Sequence, residues 1–205
     1  MMTEAISQDA PRDARSRILQ AAISAIIEGD GSIEMADVAD RASVSMGLAY
    51  HYFGSKAGLI SAIVTDFYDR YMKIAEMRFD ECDWYEQGRR RVHLLMEYLY
   101  GEPLAPIMLS KLSGNGEVLN IDRQRGETLM ALVAELIREG QESKHLSADL
   151  DTNLAAALMV GAFRQVIAVT LNTEPRPPVD EFADIVWEKV AAIVGSHPAM
   201  ANQHV

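Results

Sequence analysis

Apolar residues recur along this chain every three or four positions, the spacing of one face of an α-helix. Ile18, Leu19, Ala22, Ile23 and Ile26 make an inward stripe on a first helix, predicted from about Pro11–Asp13 to Glu28. Pro11 suits a helix start, and Gly29-Asp30-Gly31 ends the element. Met35, Val38, Ala39 and Ala42 share one face of a second helix, Glu34–Arg41, followed by the tight turn Ala42-Ser43-Val44. A third helix opens at Ser45, whose hydroxyl can accept from amides two or three residues on. It runs only to about Phe53. A fourth begins at Ser55-Lys56 and continues through Leu59, Ile63, Phe67, Met72 and Ile74 towards Phe79.

The same spacing predicts a helix over Trp84–Tyr100 and a short helical segment, punctuated by Pro103 and Pro106, ending near Leu112. Gly114-Asn115-Gly116 reads as a turn. A long helix, Glu117–Lys144, then carries Leu129, Leu132, Val133, Leu136 and Ile137 inward, and Leu146–Asp149 resets the chain. Asp149–Leu171 is apolar on nearly all sides, the pattern of a helix buried among others. Asn172–Pro178, with three prolines, is a loop, and Val179–Val194 is the last helix. No stretch reads as a β-strand, a repeat or a low-complexity tract. The expectation is an all-α protein: a polar tail over 1–10, a small head over 11–54, a larger helical unit over 55–195 and a second tail over 196–205.

Composition narrows the classes. Cys82 is the one cysteine, so no intramolecular disulfide forms, which fits a reducing cytoplasm. The N-terminal stretch to Arg17 has no apolar run and carries acids, unlike a signal peptide. The longest apolar run, Leu154–Phe163, is ten residues, too short to span a bilayer. The net charge of −11 argues against indiscriminate nucleic-acid binding. Residues 1–60 hold five basic residues (Arg12, Arg15, Arg17, Arg41, Lys56) against eight acids. Any DNA binding must then come from local placement of cations, depend steeply on salt, and need two copies of the head.

Residues 34–56 hold the informative chemistry. Two short helices around a tight turn, the second exposing small and polar residues, have the form of a helix-turn-helix. Asp37-Val38-Ala39, Ala42-Ser43-Val44-Ser45, Gly47 and the run Tyr50-His51-Tyr52-Phe53-Gly54-Ser55-Lys56 with Leu59 resemble the TetR family of bacterial transcriptional repressors. The resemblance covers about Arg15 to Ile63. Ala36–Ser43 followed by His51–Gly54 is also similar to the family's choline-responsive subgroup. The resemblance implies a homeodomain-like three-helix head and a larger C-terminal bundle that dimerises and holds a small-molecule effector, with no cofactor or metal. Three positions depart from the family pattern. Glu34 stands where Thr is frequent and repels phosphate; Ser43 replaces a turn Gly, so a positive φ there is costly; Leu48 replaces a Thr and cannot hydrogen-bond a base edge.

The resemblance gives roles to particular residues. Lys56, Tyr50 and Tyr52 correspond to residues that hold the DNA backbone, with Ser55 and the amides of a helix start beside them. His51 is a candidate phosphate contact. Base reading falls to Ser45, Met46, Gly47 and Leu48; Met46 or Leu48 can pack on a thymine methyl, or Leu48 can belong to the head's own core. Ala36 offers only apolar contact. Arg12, Arg15 and Arg17 can clamp phosphates or stand as solvated charges.

For the effector, an apolar pocket with a few polar groups is expected, with Trp84, His93, Met96, Tyr100, Met108, Met130, Phe163 and Arg164 as candidate lining. Met and aromatic residues at helical spacing are equally the stuff of an ordinary core. Arg164 inside an apolar helix needs a carboxylate, a ligand anion or a partner subunit. An aromatic cage for a quaternary ammonium is compatible with the composition. For the dimer, the seam candidates are Leu154, Leu158, Gly161 and Gln165 on one helix and Phe182, Val186, Val190 and Ile193 on the other, packed as a four-helix bundle.

The five histidines are scattered without metal-ligand spacing. No Gly-x-Ser-x-Gly elbow or phosphate loop occurs. The reading is a cytoplasmic, homodimeric, DNA-binding regulator released from a palindromic operator by an effector, not an enzyme and not a membrane protein. The alternative keeps the fold but makes it a DNA-bound protein-interaction module without a small-molecule switch.

Overall fold

A computed structural model describes residues 9–29, 31–80, 82–110 and 116–196. Among these the chain is all helical: α1 (Asp9–Glu28), α2 (Met35–Arg41), α3 (Met46–Phe53), α4 (Lys56–Ala75), α5 (Trp84–Gly101), α6 (Ala105–Ser110), α7 (Gly116–Glu142), α8 (Thr152–Thr170) and α9 (Val179–Ala192). The helix starts follow capping chemistry. Ser45, Ser55, Asp83 and Asp151 each sit in extended backbone, and each side chain accepts from an amide of the helix it precedes. Helix α1 opens at Asp9, two residues before Pro11. Ser196, placed by the sequence in the C-terminal tail, is buried. Leu112, Gly114 and Asn115 lie outside the described residues.

α1, α2 and α3 close over Ile18, Ala22, Ile26, Val38 and Ala49, all at or near zero exposure. α4 is the bridge. Its first turns pack on α1 and α3, and the rest packs on α5 and α7. α8 lies against α6, α7 and α9, and α9 against α5. The α5–α9 contact is close because Gly88 has no side chain; a Cβ there would stand 2.1 Å from Trp187 Cη2. Trp187 also meets Trp84 and Tyr85 at ring separations of 5.7 and 5.4 Å.

Two of the helix ends that differ from the sequence expectation bear on the site. α4 stops at Ala75 rather than reaching towards Phe79, and the residues beyond it have tertiary partners. Arg91 Nη2 donates to Met77 O at 2.9 Å and faces the Phe79 ring, while Arg78 pairs with Glu139. α8 starts at Thr152, where Asp151 Oδ1 accepts from Asn153 N and Leu154 N at 3.0 Å. α8 is also long and apolar enough, by length and composition, to cross a membrane, further than its ten-residue run suggested. In the fold it packs on three other helices, and Arg164 near its middle pairs with Asp122 at 2.9 Å.

Candidate nucleic-acid interface and effector cavity

The head presents α3 to solvent. Ala49 is fully buried and anchors the helix, while Met46 (47 % exposed), Gly47, Tyr50 (41 % exposed) and His51 face outward. Ser45 Oγ accepts from Leu48 N at 3.2 Å, which fixes the helix start. Leu48 and Tyr52 are half-buried, and Tyr52 packs on the head's core. Gly47 has open space beside it: a Cβ would meet nothing nearer than Ser45 Oγ at 4.0 Å. Ser43 adopts the left-handed φ of 53° that its place in the turn implies. Gly54, at φ 72°, turns the chain from α3 into α4. Ser55 then caps α4, accepting from Gly58 N at 2.9 Å. Ser45, Met46, Gly47, Tyr50, His51, Ser55 and Lys56 thus share one accessible region around the α3 and α4 starts.

The head's described cations all have protein partners. Lys56 Nζ lies 3.1 Å from Glu34 Oε1. Arg41 pairs with Glu28 at 2.7 Å and Asp37 at 2.8 Å, and these carboxylates raise its pKa. Arg17 pairs with Asp13 at 3.3 Å and donates to Ala42 O. The Arg15 guanidinium stacks 5.3 Å from the Phe53 ring. Glu34 caps α2 without a side-chain hydrogen bond, which leaves its carboxylate available to Lys56.

The body encloses a cavity of about 410 Å³ between α4, α5, α7, α8 and α9, within the range of ligand pockets. Its wall is mainly apolar, including Phe67, Tyr71, Leu95, Leu129, Phe163 and Trp187. A polar cluster stands on one side. Asp122 accepts from Arg164 Nη2 at 2.9 Å and from the Tyr68 hydroxyl. Burial, then the Asp122 carboxylate, push the Tyr68 phenol well above its ordinary value, and burial alone does the same for Tyr71.

Of the eight residues proposed for the effector, the structure brings Trp84, Phe163 and Arg164 to this cavity. The other five are placed elsewhere. Met96 and Met108 are core residues. His93 pairs with Asp184 at 2.7 Å on the α5–α9 face. Tyr100 is half-buried with its hydroxyl unpartnered, and Met130 is exposed. Arg91, Tyr71 and Trp187 also line the cavity, beyond the residues expected from the sequence. A basic residue recurring on the apolar face of α5 was the available signal for Arg91.

The seam candidates divide in the same way. Leu154 and Leu158 are more than half exposed, and Gly161 and Gln165 are exposed beside them. On α9, Val186 and Val190 are buried within the chain and Val190 lines the cavity, so neither is free to meet a second copy. Phe182 and Ile193 are half-buried, and Ile185 is the exposed apolar residue of that helix.

A short, solvent-facing helix behind a tight turn, with a capped helix start and an ammonium beside it, defines a helix-turn-helix DNA-binding head on a helical body. Residues 18–63 match the sequence model of bacterial regulatory proteins, tetR family. The chain is 25% identical over 156 residues to the HTH-type transcriptional regulator UidR of Escherichia coli strain K12, covering 75% of this chain and 80% of UidR. Solved structures share the fold. The fatty acid degradation regulator FadR from Bacillus halodurans superposes with a TM-score of 0.74 at 22% identity, over 85% of this chain and 93% of FadR. FadR from Bacillus subtilis, in complex with stearoyl-CoA, gives 0.73 at 17% identity, over 89% and 99%. Over residues 18–63 the chain is similar to the tetR family of bacterial regulatory proteins, and its helical fold is shared with solved regulators.

Proposed function

We propose that this protein is a cytoplasmic, homodimeric repressor that leaves a palindromic operator when a small molecule fills the cavity of its body. One observation carries the reading. α4 starts with Lys56 beside the recognition helix and, further along, supplies Phe67, Tyr68, Tyr71, Met72 and Ala75 to the cavity wall. A ligand in the cavity therefore touches the helix that sets the head's position. Two recognition helices must stand about 34–36 Å apart to enter successive major grooves. A ligand that binds better to a body with another spacing shifts the population away from DNA, and only that differential affinity can do so.

Ser45, Met46, Gly47 and Leu48 read bases in this proposal. Tyr50, His51, Tyr52, Ser55 and Lys56 hold phosphates. Leu154, Leu158, Gly161 and Gln165 contribute the α8 part of the dimer seam. The ligand-sized cavity favours an effector switch over the interaction-module reading. A buried guanidinium on the cavity wall, Arg91, disfavours the cationic ligand of the choline-responsive subgroup. The test begins with selection of bound fragments from the source genome, then anisotropy on the selected duplex. Double Y50F/K56A substitution is expected to weaken binding across sequences and flatten its salt dependence. Unchanged binding would remove this surface from the DNA interface.

A further inference from the structure

The ionisable groups around the cavity are mostly answered by the protein itself. Asp122 has Arg164 and Tyr68. Arg125 has Asp69, and Glu139 has Arg78. Asp83 spends its carboxylate on the start of α5, accepting from Glu86 N at 2.9 Å. Arg91 is different. It lines the cavity from α5 and is only 9 % exposed. Its guanidinium donates once, from Nη2 to Met77 O at 2.9 Å, and lies 5.9 Å from the Phe79 ring centroid. Nε is buried with no partner. Among the described residues no carboxylate pairs with it. Burial, and then the like charge of Arg78, push its pKa down from the ordinary value, against an opposing pull from Glu139, whose carboxylate is paired with Arg78; an arginine stays protonated throughout.

A buried cation without a counter-charge is costly, and polar atoms left unpartnered in a wall call for a partner from outside. The rest of that wall is hydrocarbon and aromatic. We propose that the effector is an elongated organic anion, an apolar body ending in a carboxylate that pairs with Arg91. The body fills the space among Phe67, Leu95, Leu129 and Phe163, and the head supplies the missing charge. The site also has a lever. Met77, whose carbonyl Arg91 holds, follows directly on Glu76, the C-cap of α4. An anion on Arg91 therefore acts on the segment where the head-bearing helix ends. This proposal rests on the reading of the cavity as the effector site.

Three ten-carbon probes of equal length separate the head-group chemistries: decanoate, decanol and decyltrimethylammonium. In calorimetric titration of the full chain, decanoate is expected to bind at least about tenfold more tightly than decanol, the scale of a hydrogen bond to a charged group, and the ammonium more weakly than either. The preference is expected to vanish in R91Q and to persist in R125Q. The wild-type comparison needs no variant, so it decides even if R91Q folds poorly; circular dichroism checks that. Decanol or the ammonium binding as tightly as decanoate, no binding by any probe, or a preference that survives in R91Q overturns the proposal. Anisotropy on the operator keeps the two readings apart. Arg91-dependent decanoate binding with the operator still held leaves this proposal standing and removes the release mechanism. Release by a neutral or cationic compound, with decanoate inert, does the reverse.

Discussion

In the proposed DNA contact, a phosphate arriving at the start of α4 meets a cation that is already engaged, since Lys56 Nζ is 3.1 Å from Glu34 Oε1. Both side chains are exposed, so the pair is worth about 0–1 kcal/mol and DNA can replace it. The carboxylate still opposes every phosphate at that spot. E34Q is therefore expected to tighten binding to any duplex by a factor of about two to five, the free-energy scale of that pair. K56A is expected to loosen binding uniformly and lower the salt slope by about one per head. Anisotropy at several salt concentrations reads both; an E34Q protein with wild-type affinity would show the carboxylate to be a bystander. Ser43 is the other residue whose chemistry is at odds with its place. At φ 53° it holds a left-handed conformation that L-residues enter at a cost of about 1–2 kcal/mol. Glycine removes that strain but gains freedom in the unfolded chain, so S43G is expected to gain up to about 1 kcal/mol. A lower melting temperature for S43G would contradict it.

Elements were legible where a local signal sufficed. Ser45 and Ser55 announce α3 and α4 by capping chemistry, and the stripe Ile18, Ala22, Ile26 places α1 on the core. The end of α4 was not legible; the residues just beyond it are held by Arg91 and Glu139 on other helices. α8 is apolar on nearly all sides, yet the spacing of Leu154, Leu158, Gly161 and Gln165 marked one face apart from Phe163. The structure sends Ala155, Ala156, Met159, Phe163 and Ile167 in and leaves Leu154, Leu158 and Val169 out. The cavity was legible only in part. Trp84, Phe163 and Arg164 carry a visible signal, whereas Arg91, Tyr71 and Trp187 reach the site only through packing between helices distant in sequence. Gly88 belongs to this class. Its importance lies in Trp187, nearly a hundred residues on, whose ring fills the place of a Cβ. G88A is expected to cost about 1–3 kcal/mol through overpacking, against the small gain alanine brings to a helix interior. Denaturation followed by tryptophan fluorescence tests this, and a G88A protein as stable as wild type would mean that α9 yields without cost.

At the scale of the whole molecule, the proposed repressor turns on whether two heads act together. The head is acidic by composition, and its described cations are all engaged, so one head alone has little to hold a duplex with. Two heads on one rigid body make the second contact intramolecular, which raises affinity by about 10²–10⁴ when the geometry fits. The surface we propose for that union is apolar and outward: Leu154 is 59 %, Leu158 52 %, Val169 57 % and Ile185 53 % exposed, on adjacent helices α8 and α9. A water-facing apolar strip of this kind marks an association surface, and Gly161 among these residues, with open space where a Cβ would stand, permits close approach of a second helix. Leu158 and Ile185 do not line the cavity, so changing them separates dimerisation from ligand binding. The double variant L158D/I185D is expected to be a folded monomer by light scattering and to keep its helical circular dichroism. Ligand affinity should be within about twofold of wild type, because no cavity contact is lost, while operator affinity falls by about 10²-fold or more. A variant that remains dimeric moves the seam to another face. A monomer that still binds the operator at full strength shows that one head suffices, and head spacing then loses its part in the switch.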